Sequence, residues 1–89
     1  MKAILTIIGQ DFTGIVYRTS ELLVQYNINI LDINQTIMDG NFTAMMMVDL
    51  KDANVSFDEV QKGFKKLSEE IGVYIKLQNE TLFNTMHRI

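Results

Sequence analysis

Two apolar rhythms alternate along this chain, and their order leaves few folds open to it. Residues 28–38, 42–50 and 73–78 repeat apolar side chains with the period of two that marks a strand, and residues 2–8 are apolar on both faces, as in a central strand. Residues 14–26 and 57–71 repeat them at helical spacing. In the first of these, Ile15, Val16, Thr19, Leu22, Leu23 and Tyr26 fall within one arc of about 120°, with Arg18, Glu21 and Gln25 off it. In the second, Phe57, Val60, Phe64, Leu67 and Ile71 make a narrower stripe. Strand, helix, strand, strand, helix, strand is the pattern of split βαβ units. It predicts an α+β, ferredoxin-like βαββαβ domain: a four-stranded antiparallel sheet with two helices on one face.

Local signals mark the joints. Asp39-Gly40-Asn41 between two strand-like runs reads as a hairpin turn. The alternation slips near Ile30-Leu31, which predicts a bulge. Ser56 with Glu59 three residues on fits a capping box, and Thr13 or Asp11 suits the cap of the first helix. Asn27 and Gly72 suit the left-handed angles that end helices. Gly63, in mid-helix, invites a close neighbour. Leu82, Phe83, Met86 and Ile89 predict a short last helix over about residues 80–88. No linker or repeat divides the chain, so residues 1–89 read as one domain.

Composition narrows the function. No apolar run approaches the roughly 20 residues of a membrane helix. The first apolar run lacks a small-residue cleavage site and is broken by Gly9-Gln10-Asp11, which argues against a signal peptide. Without Cys there is no disulfide framework, thiolate metal site or Cys nucleophile, and a cytoplasmic location is expected. The net charge is −3, and Lys62, Lys65 and Lys66 interleave with Asp58, Glu59, Glu69 and Glu70. That is a solvated helix face and no stripe for nucleic acid. His87 is the single His, and Asp32, Asp39, Asp49 and Asp52 lack the spacing of a metal loop. No catalytic set, metal site or cofactor is expected. Tyr17, Tyr26 and Tyr74 read as packing residues.

An excess of apolar side chains remains. The strands are apolar on both sides, yet two helices cover one. Met45, Met46 and Met47 add to this excess. A large apolar patch commonly marks an interface, and two-fold self-association is its commonest outcome, so a homodimer is expected. The stretch Ile8-Gly9-Gln10-Asp11-Phe12-Thr13-Gly14-Ile15 is the best place for a small polar ligand. There a strand becomes a helix whose first amides favour hydrogen-bond acceptors and negative charge. Local readings compete: Asp11 suits a cap or turn, Gly9 and Gly14 suit special backbone angles, and Asn29 suits a strand-entry turn.

The spacing Gly9-x-Asp11-x-x-Gly14-Ile15, followed by Asn27-Ile28-Asn29-Ile30 and by Gln35 in the next strand, resembles the ACT domain. This is a small regulatory ligand-binding module of amino-acid metabolism. The resemblance covers residues 2–78, and the whole chain is similar to the short ACT proteins of bacteria and the ACT parts of glycine-cleavage repressor-like proteins. It implies paired domains holding an amino acid or similar effector at their interface. The effector would lie between the first loop, Gly9, Asp11, Phe12, Thr13, Gly14 and Ile15, and the start of the second strand, Asn29 and Ile30. Asp11 departs from the Asn of serine-binding members, and Gly9 from their His. A carboxylate at Asp11 suits an ammonium group and repels a carboxylate, which counts against serine. Thr13 stands where many such loops carry Pro, leaving the loop less rigid.

An enzyme is the rival reading. Gly14-Ile15-Val16-Tyr17-Arg18 resembles the phosphate loop of acylphosphatases, with Arg18 as the phosphate-holding Arg and Asn34 as the water-positioning Asn. Gln10 and Thr13 replace that motif's Gly and Gln, and the helical stripe starting at Ile15 puts Arg18 on a helix. A ligand-free protein-interaction module is the third reading.

Overall fold

The strands form where alternating side chains can be shared between two faces, and the helices where one stripe can be buried. The computed structural model describes residues 1–10 and 12–80. Its elements are β1 (Lys2–Gly9), α1 (Phe12–Gln25), β2 (Asn29–Met38), β3 (Asn41–Asp49), α2 (Phe57–Ile71) and β4 (Tyr74–Asn79). The sheet runs β2-β3-β1-β4 with every pair antiparallel, which is the ferredoxin-like topology. The last helix expected over about 80–88 lies, beyond residue 80, outside the described residues.

β1 is central, as its two apolar faces require. Ala3, Leu5 and Ile7 point into the helical layer beside Ala44, Met46 and Val48 of β3 and Ile75 and Leu77 of β4. Ile15 and Leu23 from α1 and Val60, Phe64 and Leu67 from α2 close this core. Each large aliphatic or aromatic side chain so buried contributes about 1.5–3 kcal/mol.

Turn chemistry matches the sequence closely. Asp39 (φ 56°) and Gly40 (φ 78°) both take left-handed angles, the geometry that continues the strand twist through a two-residue hairpin. The β2–β3 register shifts between Ile30 and Asp32, which places the bulge at Leu31. Ser56 caps α2 by accepting from the Glu59 amide at 3.2 Å, and Gly72 (φ 68°) ends it. α1 starts at Phe12, two residues earlier than its apolar stripe indicates. Thr13 is therefore a helical residue and not the cap. At the other end Asn27 (φ 58°) leaves the helix, and Asn54 supplies the terminal bonds. Its amide donates to Tyr26 O at 3.1 Å and its Nδ2 to Gln25 O at 2.8 Å. In return Asn27 Nδ2 donates to Asp52 O at 3.0 Å, which ties the β3–α2 loop to the end of α1.

The apolar excess lies elsewhere than the alternation suggests. On the open face Ile4 is buried, and the exposed side chains there include Ile8, Met45 and Tyr74. The larger remainder sits on β2, the sheet edge, where residues 29–37 are all exposed. Ile30, Ile33 and Ile37 share the helical side with Val48, Met46 and Phe42, yet remain 43%, 42% and 69% exposed. Two helices span β3, β1 and β4 and stop short of the fourth strand.

Gly63 meets the neighbour its position invites. A Cβ there would strike the Tyr26 hydroxyl and lie 2.9 Å from Tyr26 Cζ. Tyr26 in turn packs edge-on against Phe64, with ring centroids 6.4 Å apart. Ala is the better helix former by up to about 1 kcal/mol, but overpacking costs about 1–3 kcal/mol. Gly63→Ala is therefore expected to lower the urea midpoint, and Tyr26→Phe in the same chain to recover part of the loss. A Gly63→Ala midpoint at or above that of the parent would contradict this contact.

Candidate functional site

Three chain segments converge where β1 gives way to α1. A Cβ on Gly9 would lie 2.5 Å from Ile15 Cδ1 and 2.6 Å from Val73 Cγ1. Gly9 is thus needed for close approach, not for an unusual backbone angle. Gly14 likewise sits inside the first turn of α1, so neither glycine serves as the special-angle position that the loop spacing suggests. Val73 is held in turn by the end of α2. Its amide donates to Ser68 O at 3.2 Å, and its carbonyl accepts from Ser68 Oγ. Ile15 is fully buried beneath this junction, Gly14 is half-buried and Thr13 is exposed. Phe12 begins the helix, and Asp11 lies outside the described residues.

The two helix starts differ electrically. α2 carries Asp58 and Glu59 in its first turn, which offset the partial positive charge there. α1 has no acidic residue in its first turn. Its first turn therefore adds no charge against the field at its start, and the nearest carboxylate in sequence is Asp11, just before it.

The remaining site residues are not neighbours of this loop within one chain. Gly9 stands opposite Phe42, which stands opposite Ile37. Asn29 stands opposite Asp49, which stands opposite Lys2. The two ends are seven residues apart along β1, about 23 Å at strand spacing. Asn29 and Ile30 are exposed at the far end of the sheet.

The acylphosphatase-like pairing is not formed. Arg18 lies on the body of α1, its Nη2 2.7 Å from Glu70 Oε2 on α2 and its Nε 3.8 Å from Glu21 Oε1. Asn34 stands opposite Met45 and so points to the open face. The sheet separates the two residues. Tyr26 packs as expected, whereas Tyr17 and Tyr74 are exposed, so packing does not explain them. Sequence reasoning also missed Val73 and Ile71. Their helix-end position reads as a simple strand entry, and only the fold shows that they face α1. No helix among the described residues is long and apolar enough to cross a membrane.

Comparison with known proteins matches this fold and loop to one family over residues 2–78, the ACT domain. The chain belongs to the ACT domain family. The UPF0237 protein of Listeria innocua is 48% identical over 89 residues, end to end in both chains. An ACT domain protein from Streptococcus pneumoniae superposes with a TM-score of 0.80 at 35% identity, covering 93% of each chain. A structure assigned to a glycine cleavage system transcriptional repressor has a TM-score of 0.75 at 13% identity. It covers 88% of this chain and 47% of that one, and shows the shared fold alone. The family is regulatory and ligand-binding.

The Gly9 contact is open to a direct test. Gly9→Ala is expected to destabilise the ACT fold by about 1–3 kcal/mol. Adding Ile15→Val, which removes the atom nearest the new methyl, should restore part of it in chemical denaturation. Equal losses in the single and double variants would mean that the three segments do not crowd residue 9.

Proposed function

We propose that this ACT domain is a non-catalytic, homodimeric sensor of a small metabolite, an amino acid by family resemblance, acting in the cytoplasm and presenting its state to a regulated protein. The observation that carries the reading is the uncovered edge strand. β2 is ten residues long and exposes Ile30, Leu31, Ile33 and Ile37. Long apolar edges are templates for pairing with another strand. The opposite edge is guarded: β4 has six residues, Gln61 Nε2 donates to Leu77 O at 3.0 Å, and Lys76 is exposed. Covering the half-exposed aliphatic side chains of β2 yields on the order of 1 kcal/mol each.

Antiparallel pairing of β2 with its copy about a two-fold axis also explains the divided site. In one chain Asn29 lies at the end of the sheet away from Gly9. Reversing a second β2 beside the first brings the partner's Asn29 to the Ile37 end, where the first chain's Gly9–Ile15 loop lies. An effector held between that loop and the partner's Asn29 then binds only the paired state. It shifts pairing or its geometry by its differential affinity and no more. The start of α1 favours the effector's carboxylate, and Asp11 its ammonium group.

Light scattering at micromolar concentration is expected to give the mass of two chains, and Ile33→Lys, which puts a charge on the edge, to give one. Asp11→Ala and Asn29→Ala are each expected to weaken effector binding about tenfold or more, as loss of a hydrogen bond to a charged group does, with little change in unliganded melting. A single-chain mass for the parent would remove the seam. Unchanged affinity in both variants would remove these residues from the site, and an intact dimer that binds no small molecule would favour the interaction-module reading.

A further inference from the structure

A cavity of about 220 Å³ opens beside the first turn of α1, walled by Gly14, Ile15 and Arg18 on one side and Ile71 and Val73 on the other. Its lining combines two chemistries. Ile71 and Val73 are half-buried and offer hydrocarbon over the fully buried Ile15, and Gly14 adds no side chain. Arg18 supplies one guanidinium at the rim. Among the described residues only its Nη2 stands at hydrogen-bond distance from a carboxylate, Glu70 Oε2 at 2.7 Å, while Glu21 lies 3.8 Å from Nε. Both members of the Arg18–Glu70 pair are more than a third exposed. Such a pair is weakly held, and a guanidinium has donors for a second carboxylate.

We propose that this cavity receives a small aliphatic carboxylate, its hydrocarbon end between Ile15, Ile71 and Val73 and its carboxylate on Arg18. The proposal rests on the reading that the start of α1 holds this protein's effector. It adds the effector's chemical class and a binding wall built from one chain. The aliphatic walls select the class, because a hydroxylated or charged end would be buried without partners. A lone guanidinium beside Glu70 suits one negative charge and opposes the two of a phosphate monoester. α1 has no acidic residue in its first turn, but Asp11 directly precedes that turn and Glu21 stands beside Arg18, so the carboxylate is held by Arg18 itself. An α-amino acid and its 2-oxo acid share this chemistry. Glu70 distinguishes them, since its carboxylate attracts an α-ammonium and has nothing to offer an oxo group.

The test uses the full chain in titration calorimetry and thermal melting. The probes are leucine, valine, 4-methyl-2-oxopentanoate, glycine, serine and isopentylamine, which keeps the hydrocarbon and lacks the carboxylate. Saturable binding is expected for at least one of the first three, with glycine, serine and isopentylamine weaker by about tenfold or more. Arg18→Gln and the cavity-filling Ile71→Phe should each weaken it by about the same factor, and Arg18→Lys by less. Arg18 is a surface residue, so Arg18→Gln keeps the test valid if Ile71→Phe fails to fold. Glu70→Gln should weaken leucine and spare the oxo acid if the amino acid is the source, and spare both if the oxo acid is. Binding of serine or glycine that Asn29→Ala weakens and Arg18→Gln does not would overturn the cavity proposal and leave the seam standing. Absence of binding by leucine, valine and 4-methyl-2-oxopentanoate would overturn the cavity proposal, while the seam stands or falls by the chain mass and the Asp11 and Asn29 variants.

Discussion

Ile15 and Val73 meet over Gly9 more closely than a side chain on residue 9 would permit. That contact joins the end of β1, the first turn of α1 and the link from α2 to β4. It fixes how steeply α1 leaves the sheet, and Ser68 fixes Val73 from the other side. With these positions set, Gly14 and Ile15 face Ile71 and Val73 across an open cavity, and Arg18, one turn on from Gly14, reaches Glu70. A single absent Cβ is thus what lets two layers close while leaving space at the start of a helix.

Much of this was legible in the residues. Strand-like and helical apolar spacings, with β1 marked by its two apolar faces, predict all six described elements, and the slip at Ile30-Leu31 marks a real bulge. Asp39-Gly40, Ser56, Asn27 and Gly72 act as their chemistry requires. These features are local, and local propensity decides them. What was not legible depends on reach. Alternation tells which side chains share a face, but not how far a helix covers it, so the apolar excess was expected on the open face and stands mainly on β2. Asn54 reads as a strand breaker, and only the fold brings it to the carbonyls of Tyr26 and Gln25.

The candidate site divides along the same line. The loop from Gly9 to Ile15 is contiguous, and its glycines and helix start announce it. Family resemblance adds Asn29 and Ile30, yet strand register carries them to the other end of the sheet. No spacing rule within one chain reunites them. In the dimer proposed above, residues that the register separates within one copy would meet between two. The first turn of α1 has no acidic residue, with Asp11 just before it in sequence, whereas that of α2 carries Asp58 and Glu59, so the two helix starts differ in charge.

The amide of Gln61 on the Leu77 carbonyl has an effect beyond its own bond. A sheet with two receptive rims invites endless stacking of copies into fibres. Here α2 blunts one rim through Gln61, which leaves β2 the more receptive edge among the described residues. In the dimer proposed above the two β4 borders would lie outermost, and the ribbon would end at eight strands with no separate cap.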